Sequence, residues 1–483
     1  MAWRNPRRLI PFLLGLLALI GMSAAPLLPE MTDPTGQVAQ LSRQGQMALG
    51  LFALAGLWWV FEVVPAGITA ITIVVVQSLW LIRDSRTAMT DFMDPSVWFI
   101  FGSLLIGAAF TSTGLTKRLA FFMLARLSEK TTIIYLGVFG MTATLTLFMA
   151  HTAVAAAIFP LLLVVHNLYE PSGKTTRFGK GLFIGMAWTA GAGSCITLLG
   201  AARGAVAIGF YQKLGYAEIG FFELTRYMFP LGTIMVFLLW GYVSLVFRPE
   251  KAEITGLRQR ASQLSKSLGP ISRREYATLF IVAMVVVVLS LRSFVPALAL
   301  VDKSAVILCA GLIFFFTKIL KLKDLESVSW NIILLFGGAM SLGFCLWQTG
   351  SAEWMATGWL TLLHSAPWFV FIMGVVLLVT LMTNFIMNVA AIAITLPVAI
   401  VMAQHMGVHP ELVMFATLAA AGMPFMFLVG AAPNAIAFES KMFTTREFFL
   451  HGIPATGLLL ITVGLFVWKI WPLMGMPIFI ETP

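Results

Sequence analysis

Apolar runs long enough to cross a bilayer recur from Leu9 to Trp471, separated by short polar turns and one long charged stretch. A helix spanning the hydrocarbon core needs about 20 apolar residues. On that measure about eleven runs read as spans: 9–28, 46–61, 66–82, 96–114, 181–210, 227–247, 276–291, 303–320, 331–348, 412–438 and 449–471. Two longer apolar segments, 132–167 and 368–404, are interrupted at Ala150-His151-Thr152 and Met387-Asn388-Val389. Their length favours re-entrant hairpins over paired crossings. The span 181–210 is broken by Gly191, Gly193, Gly200 and Gly204. The expected fold is all-α: a polytopic membrane protein of about eleven transmembrane helices plus two re-entrant hairpins in an inverted repeat.

The repeat shows in landmarks. Phe101-Gly102 with Thr113-Gly114 is matched by Phe336-Gly337 with Thr349-Gly350, and His151…Pro160 has the spacing of Asn388…Pro397. Leu199-Gly200-Ala201-Ala202 is matched by Val429-Gly430-Ala431-Ala432, and each half closes with a span bearing a proline, Pro230 or Pro454. An odd number of crossings per half places the second half on the opposite topology, an arrangement typical of secondary transporters. The expected organisation is an N-terminal span and outer loop (1–45), a first repeat (46–248), a basic linker (249–275), a second repeat (276–472) and a tail (473–483).

Composition narrows the class. Hydrophobic residues make up 59% of the 483 and charged residues 11%, too few to solvate a sizeable water-facing domain. No nucleic-acid module has room. The net charge of +10 is explained by Lys and Arg in short loops, which insertion retains on the cytoplasmic side. That rule places the N-terminus and the linker in the cytoplasm and the protein in a bacterial inner membrane. The Arg4, Arg7 and Arg8 cluster before Leu9 resembles a signal peptide, but the apolar run is long enough to span, and an uncleaved first helix is expected. Cys195, Cys309 and Cys345 lie in apolar stretches without metal-ligand spacing and read as buried thiols.

Non-helical backbone at membrane depth survives only where protein buries it or water reaches it. The two hairpin interruptions and the breaks at Gly200-Ala201-Ala202-Arg203-Gly204 and Gly430-Ala431-Ala432-Pro433-Asn434 are therefore candidate binding elements. A broken helix offers free N–H groups and the positive end of a dipole, both of which attract anions. Arg203 is the strongest candidate: a guanidinium inside a span usually faces an interior cavity, and no acidic residue is near it in sequence. His151 reads equally as an anion or proton ligand and as a histidine satisfied by a neighbouring carbonyl. Asn388 and Asn434 suit substrate or helix–helix hydrogen bonds. Thr152 suits a cap, and Glu62 an interfacial position.

At these motifs the chain resembles the divalent anion/sodium symporter family, which carries di- and tricarboxylates or sulfate. The likeness runs from Trp58-Trp59…Glu62…Pro65 to the final span. Family members carry Ser-Asn-Thr at each hairpin tip and a Gly-Thr-Pro-Pro-Asn-like stretch in each broken helix. The resemblance implies hairpins opening to opposite faces and a homodimer whose transport domain moves against a fixed scaffold. Carried over residue by residue, Thr152, Asn388, Gly200, Gly430, Pro433 and Asn434 match the family pattern, and together with His151, Ala201, Arg203 and Ala431 they are the expected substrate contacts. Sodium sites would fall near Ala150, Gly200, Met387 and Gly430. The departures are as informative. Ala150, Met387 and Val389 stand at hydroxyl-bearing positions, His151 at an amide, and Arg203-Gly204 at the Pro-Asn pair. Ala, Met and Val side chains supply no oxygen to sodium, and the fixed charge of Arg203 could replace a cation. The expected function is therefore secondary active transport of a small divalent anion, not catalysis, by an elevator-type movement with sodium coupling weakened. The competing readings are a proton-coupled or exchange carrier for another oxyanion or sulfonate, an anion channel, and an integral-membrane enzyme.

Overall fold

A computed structural model of the chain describes residues 6–32, 38–61, 63–125, 128–292, 295–355, 366–385 and 388–480. Among them, seven helices are long and apolar enough to cross a membrane, and six shorter apolar helices of 10–17 residues accompany them. The protein is an all-α membrane-spanning protein. Its sheet is a two-stranded ribbon, β1 (Met31–Thr32) antiparallel to β2 (Val38–Ala39).

The helices of seven residues or more are labelled in chain order. Before the linker stand α1 (Pro6–Ala24), α2 (Arg43–Val60), α3 (Ala66–Leu79), α4 (Pro95–Thr113) and α5 (Leu115–Ala125). They are followed by α6 (Thr131–Thr146), α7 (His151–Tyr169), α8 (Arg177–Ser194), α9 (Arg203–Lys213) and α10 (Phe221–Val246). The linker carries α11 (Leu257–Ser267). After it come α12 (Arg273–Leu291), α13 (Lys303–Phe316), α14 (Trp330–Gln348), α15 (Trp368–Phe385) and α16 (Asn388–His405). The last three are α17 (Pro410–Ala421), α18 (Ala432–Phe438) and α19 (Thr445–Leu465).

Local chemistry sets many of these boundaries. Ser42, Thr176, Ser272, Asp302 and Thr444 cap α2, α8, α12, α13 and α19 by accepting from N–H groups in the first turn. Glu275 and Glu447 complete capping boxes on α12 and α19. At the other end, α4 and α14 both stop before a glycine in the left-handed region, Gly114 (φ 80°) and Gly350 (φ 75°), a conformation that costs glycine little.

The two halves interlock. α3 packs along α14, and α13 packs along α4, so each half lends a helix to the other. The half-helices cross over as well: α18 lies against α7 and α8, while α9 lies against α16 and α17. The polar turn between α3 and α4 is tied down by a buried Arg83–Asp91 ion pair at 2.8 Å and by Lys213–Asp94 at 3.0 Å.

Three boundaries differ from the sequence reading. Gly191 and Gly193 do not break α8, which runs through to Ser194. They are packing glycines instead: a Cβ at Gly193 would sit 2.5 Å from the Cα of Ala143. The first break covers 195–202, so Arg203 opens a new helix rather than lying in the loop. The second covers 422–431, and Pro433 and Asn434 already belong to the first turn of α18. The structure also adds α5 after Gly114 and α11 within the linker, two helices the search for spans did not anticipate.

Gly338 sets the α3–α14 distance, because a Cβ there would lie 2.5 Å from the Cα of Ala70. Gly338→Ala is expected to force the helices apart and to cost roughly 1–3 kcal/mol. The measurement is thermal unfolding of the purified variant. Gly107→Ala, where a Cβ meets nothing within 4 Å, serves as the control and is expected to leave the transition unchanged.

Candidate functional site

A cavity of about 360 Å³ lies where the interrupted elements converge. Ala150, His151 and Thr152 of the first hairpin tip line it, together with Asn388 and Val389 of the second. The breaks contribute Leu199, Ala201, Ala202 and Arg203 on one side and Gly430, Ala431 and Ala432 on the other. Ser103 on α4, and Ser329 and Phe336 at α14, close the wall. Of the residues singled out in the sequence, His151, Thr152, Ala201, Arg203, Asn388, Gly430 and Ala431 thus meet around one space. Gly200, Pro433 and Asn434 stand behind it. Met387 and Glu62 lie outside the described residues.

Three helices of eleven residues or more begin at this cavity, α7 at His151, α9 at Arg203 and α16 at Asn388, and short α18 begins there at Ala432. The residues preceding α7 and α9 are alanines, Ala150 and Ala202, and neither offers a side-chain cap. The N–H groups of His151 and Gly204 donate to the Gly200 and Ala201 carbonyls, and no side chain caps the rest of either first turn. The aligned dipoles place partial positive charge at the same point.

Arg203 is 2% exposed. Its Nη2 donates to Ser194 Oγ at 2.9 Å and lies 3.0 Å from Cys195 Sγ, while Nε has no hydrogen-bond partner. No carboxylate among the described residues forms an ion pair with it. The guanidinium fits where the two broken helices cross. Gly422 is the permissive residue, since a Cβ there would meet Cys195 Sγ at 2.2 Å and Arg203 Nη2 at 2.6 Å. The His151 ring sits beside the guanidinium's helix: its backbone N–H donates to the Gly200 carbonyl at 3.1 Å, and Nδ1 lies 3.3 Å from the same oxygen.

The two tips are built alike and furnished differently. Gly200 lets the first break press on the Thr146 carbonyl, where a Cβ would stand 2.5 Å away. Gly430 does the same against the Thr383 carbonyl at 2.8 Å. At the second tip, the Thr383 hydroxyl lies 2.9 Å from both Asn388 Oδ1 and the Ala421 carbonyl. Asn384 Oδ1 accepts from the N–H groups of Met426 (2.8 Å) and Phe427 (3.2 Å). Asn434 donates to the Pro424 (2.8 Å) and Phe427 (3.1 Å) carbonyls. Asn434 therefore braces the second break from behind. At the first tip, Thr197 performs a related task by donating to the Leu147 carbonyl at 2.8 Å.

Sequence reasoning missed Ser194, Thr197, Thr383, Asn384 and Gly422. A signal existed for two of them. Thr383-Asn384 is a polar pair inside an otherwise apolar hairpin arm, one helical turn before Asn388. Ser194, Thr197 and Gly422 lie among small residues that say nothing until the loops are placed.

A family model described as the sodium:sulfate symporter transmembrane region matches residues 28–476. The chain belongs to this family. Among its relatives, the sodium-dependent dicarboxylate transporter SdcS of Staphylococcus aureus strain USA300 is 24% identical over 486 residues, covering 96% of this chain and 93% of that one. The sodium-dependent high-affinity dicarboxylate transporter 3 of Caenorhabditis elegans is 25% identical over 461 residues, covering 85% and 80%. Two solved structures share the fold. MtrF of Neisseria gonorrhoeae superposes with a TM-score of 0.62 at 13% identity, covering 100% of this chain and 99% of that one. The YdaH transporter of Alcanivorax borkumensis superposes at 0.59 and 15%, covering 99% and 100%. This symporter-family chain is thus a multi-pass membrane protein.

The tips differ in how well they suit a sodium ion, a hard cation that takes oxygen ligands. At the second, the Thr383 hydroxyl, the Asn388 amide oxygen and the Ala421 carbonyl already stand together. At the first, the Gly200 carbonyl accepts from His151, the Thr146 hydroxyl donates to the Ala143 carbonyl at 2.7 Å, and Ala150 carries no oxygen in its side chain. A guanidinium fills the neighbouring space. By its supply of oxygens, the second tip suits a cation better than the first.

Asn384→Ala strands the buried N–H groups of Met426 and Phe427. It is expected to lower stability by about 1–3 kcal/mol, read as a reduced unfolding temperature in detergent.

Proposed function

We propose that this symporter-family protein is a secondary active transporter of small divalent anions, of the di- or tricarboxylate or sulfate class. The observation that carries the reading is Arg203: a buried guanidinium with no carboxylate partner among the described residues, on a cavity where uncapped helix N-termini meet. A dianion supplies the charge and the acceptor atoms that this arrangement lacks. The relatives, sodium-dependent dicarboxylate transporters, favour carboxylates and transport over catalysis.

The movement we infer is elevator-type alternating access. Hairpins α6–α7 and α15–α16, with the broken helices α8–α9 and α17–α18, carry the cavity as one body. The helices α3, α4, α13 and α14 form the wall it slides against. Two oppositely oriented repeats, a homodimer and a bacterial inner-membrane location with a cytoplasmic N-terminus complete the proposal. They are supported by the matched order of elements and by the basic loops.

Coupling follows from the asymmetry of the tips. A sodium ion held by Thr383, Asn388 and the Ala421 carbonyl would supply one positive charge beside the anion. Gly191 precedes the break glycine Gly200 by as many residues as Ala421 precedes Gly430. The Arg203 guanidinium lies 3.5 Å from the Gly191 carbonyl. Arg203 thus occupies, in the first half, the neighbourhood that the second half leaves to oxygens, and it stands in for a cation there.

Uptake of labelled succinate and sulfate into proteoliposomes tests the proposal, with counterflow separating a carrier from a channel. Wild-type protein is expected to show saturable, counterflow-competent uptake of a dianion. Arg203→Ala is expected to lower uptake about 10- to 100-fold, as loss of a charge-assisted hydrogen bond implies. Thr383→Ala is expected to weaken the sodium dependence selectively. Unimpaired transport by Arg203→Ala would overturn the assignment.

A further inference from the structure

Away from the cavity, α12 and α13 leave a groove of about 590 Å³ open at the protein surface, where Phe280, Met284 and Ile313 are exposed apolar side chains. Its floor is apolar, formed by Met284, Val285 and Val288 on α12 and Ala305, Cys309 and Ile313 on α13. At Phe280 it joins a second depression lined by Arg273 and Tyr276. The lining positions on α12 recur three or four residues apart from Arg273 to Val288, so the two depressions are one continuous stripe on a single helix face.

The ends of this stripe differ chemically. Arg273 is exposed, stands at the start of α12 and forms no hydrogen bond or ion pair among the described residues, and exposed Arg274 and Lys266 lie near it in the chain. The nearest carboxylate, Glu275, is neutralised by Arg118 at 2.6 Å. Tyr276 is 68% exposed, an amphipathic ring of the kind enriched where headgroups meet hydrocarbon. From the Tyr276 ring to Val288 the helix rises about 18 Å, close to the roughly 15 Å of one leaflet of a 30 Å core. A cationic, ring-bearing mouth followed by one leaflet's depth of apolar groove matches a diacyl lipid with an anionic headgroup.

We propose that this groove is a specific site for an anionic phospholipid, its phosphodiester at Arg273 and one acyl chain between α12 and α13. The site is independent of the anion cavity and of the transport reading. A second copy of the chain seated on the same face is the competing occupant. It accounts for the apolar floor but gives no role to an unpaired cation at the mouth.

Cys309 reports on the groove, because it is exposed while Cys195 and Cys345 are buried. The experiment measures the rate at which a membrane-soluble maleimide modifies Cys309 in the full chain, purified in neutral detergent. Phosphatidylglycerol, phosphatidylcholine or glycerol phosphate is added, and oligomeric state is followed by size exclusion with light scattering. Phosphatidylglycerol at ten times its dissociation constant is expected to slow modification about tenfold. Phosphatidylcholine and glycerol phosphate are expected to do much less. Arg273→Gln should abolish the preference between the two lipids and Arg273→Lys should retain most of it. Ala305→Trp, a filling substitution at an exposed position, should remove lipid protection altogether. Equal protection by both lipids, protection by glycerol phosphate alone, an unaltered preference in Arg273→Gln, or Cys309 already shielded in a lipid-free dimer would each overturn the proposal.

Discussion

Inside a bilayer every backbone N–H and C=O must find a partner within the protein, since hydrocarbon offers none and an unsatisfied group costs several kcal/mol. The organisation of this chain follows from where it breaks that rule. α7, α9, α16 and short α18 start at membrane depth, and the residues before α7, α9 and α18 provide no capping side chain. Such ends are tolerable only if they face one another around a space that a ligand can fill. The interlocked halves create that space, because α18 of the second half docks on α7–α8 of the first and α9 docks on α16–α17. Fold and site are the same solution to one backbone constraint.

The two hairpin tips show how a common scaffold can be given different electrostatics. Both rest on a glycine pressed against a threonine carbonyl, Gly200 on Thr146 and Gly430 on Thr383. Beyond that shared joint they part. The second gathers neutral oxygens from Thr383, Asn388 and Ala421, while the first spends its carbonyl on His151 and brings in a permanent cation. In the transport cycle proposed above, a guanidinium would not leave with the substrate as a bound ion does, so its charge would be present throughout. It would favour an anion without contributing a driving gradient. That distinction separates this site from one in which both positive charges arrive as ions.

Much of this was legible in the sequence, and the legible part was periodic or chemical in kind. Apolar run length picked out the long apolar helices that make this a membrane-spanning protein. The paired landmarks Thr113-Gly114 and Thr349-Gly350 proved to be helix stops with glycine in the left-handed region. Arg203, His151 and Asn388 stood out because polar groups at membrane depth are costly. What escaped notice depended on three-dimensional placement. Gly191 and Gly193 read as helix breakers but serve as surfaces for close packing, since composition alone cannot tell a flexible glycine from a crowded one. Asn434 read as a cavity ligand from its position in the motif. Its amide turns instead toward Pro424 and Phe427, a direction set by the path of the loop. Ser194 and Gly422 matter because they are small enough to admit a guanidinium, and smallness has no signature until the neighbour is known.

The central claim is that the cavity bounded by His151, Arg203 and Asn388 holds a dianion through the guanidinium and the free helix ends. The most direct test is to locate a heavy-atom dianion, selenate or bromosuccinate, by anomalous scattering from crystals of the protein. A peak is expected inside the cavity, within hydrogen-bonding distance of Arg203 and of the first-turn N–H groups of α7 or α9. A well-occupied peak elsewhere, with the Arg203 guanidinium still held only by Ser194, Cys195 and the Gly191 carbonyl, would contradict it.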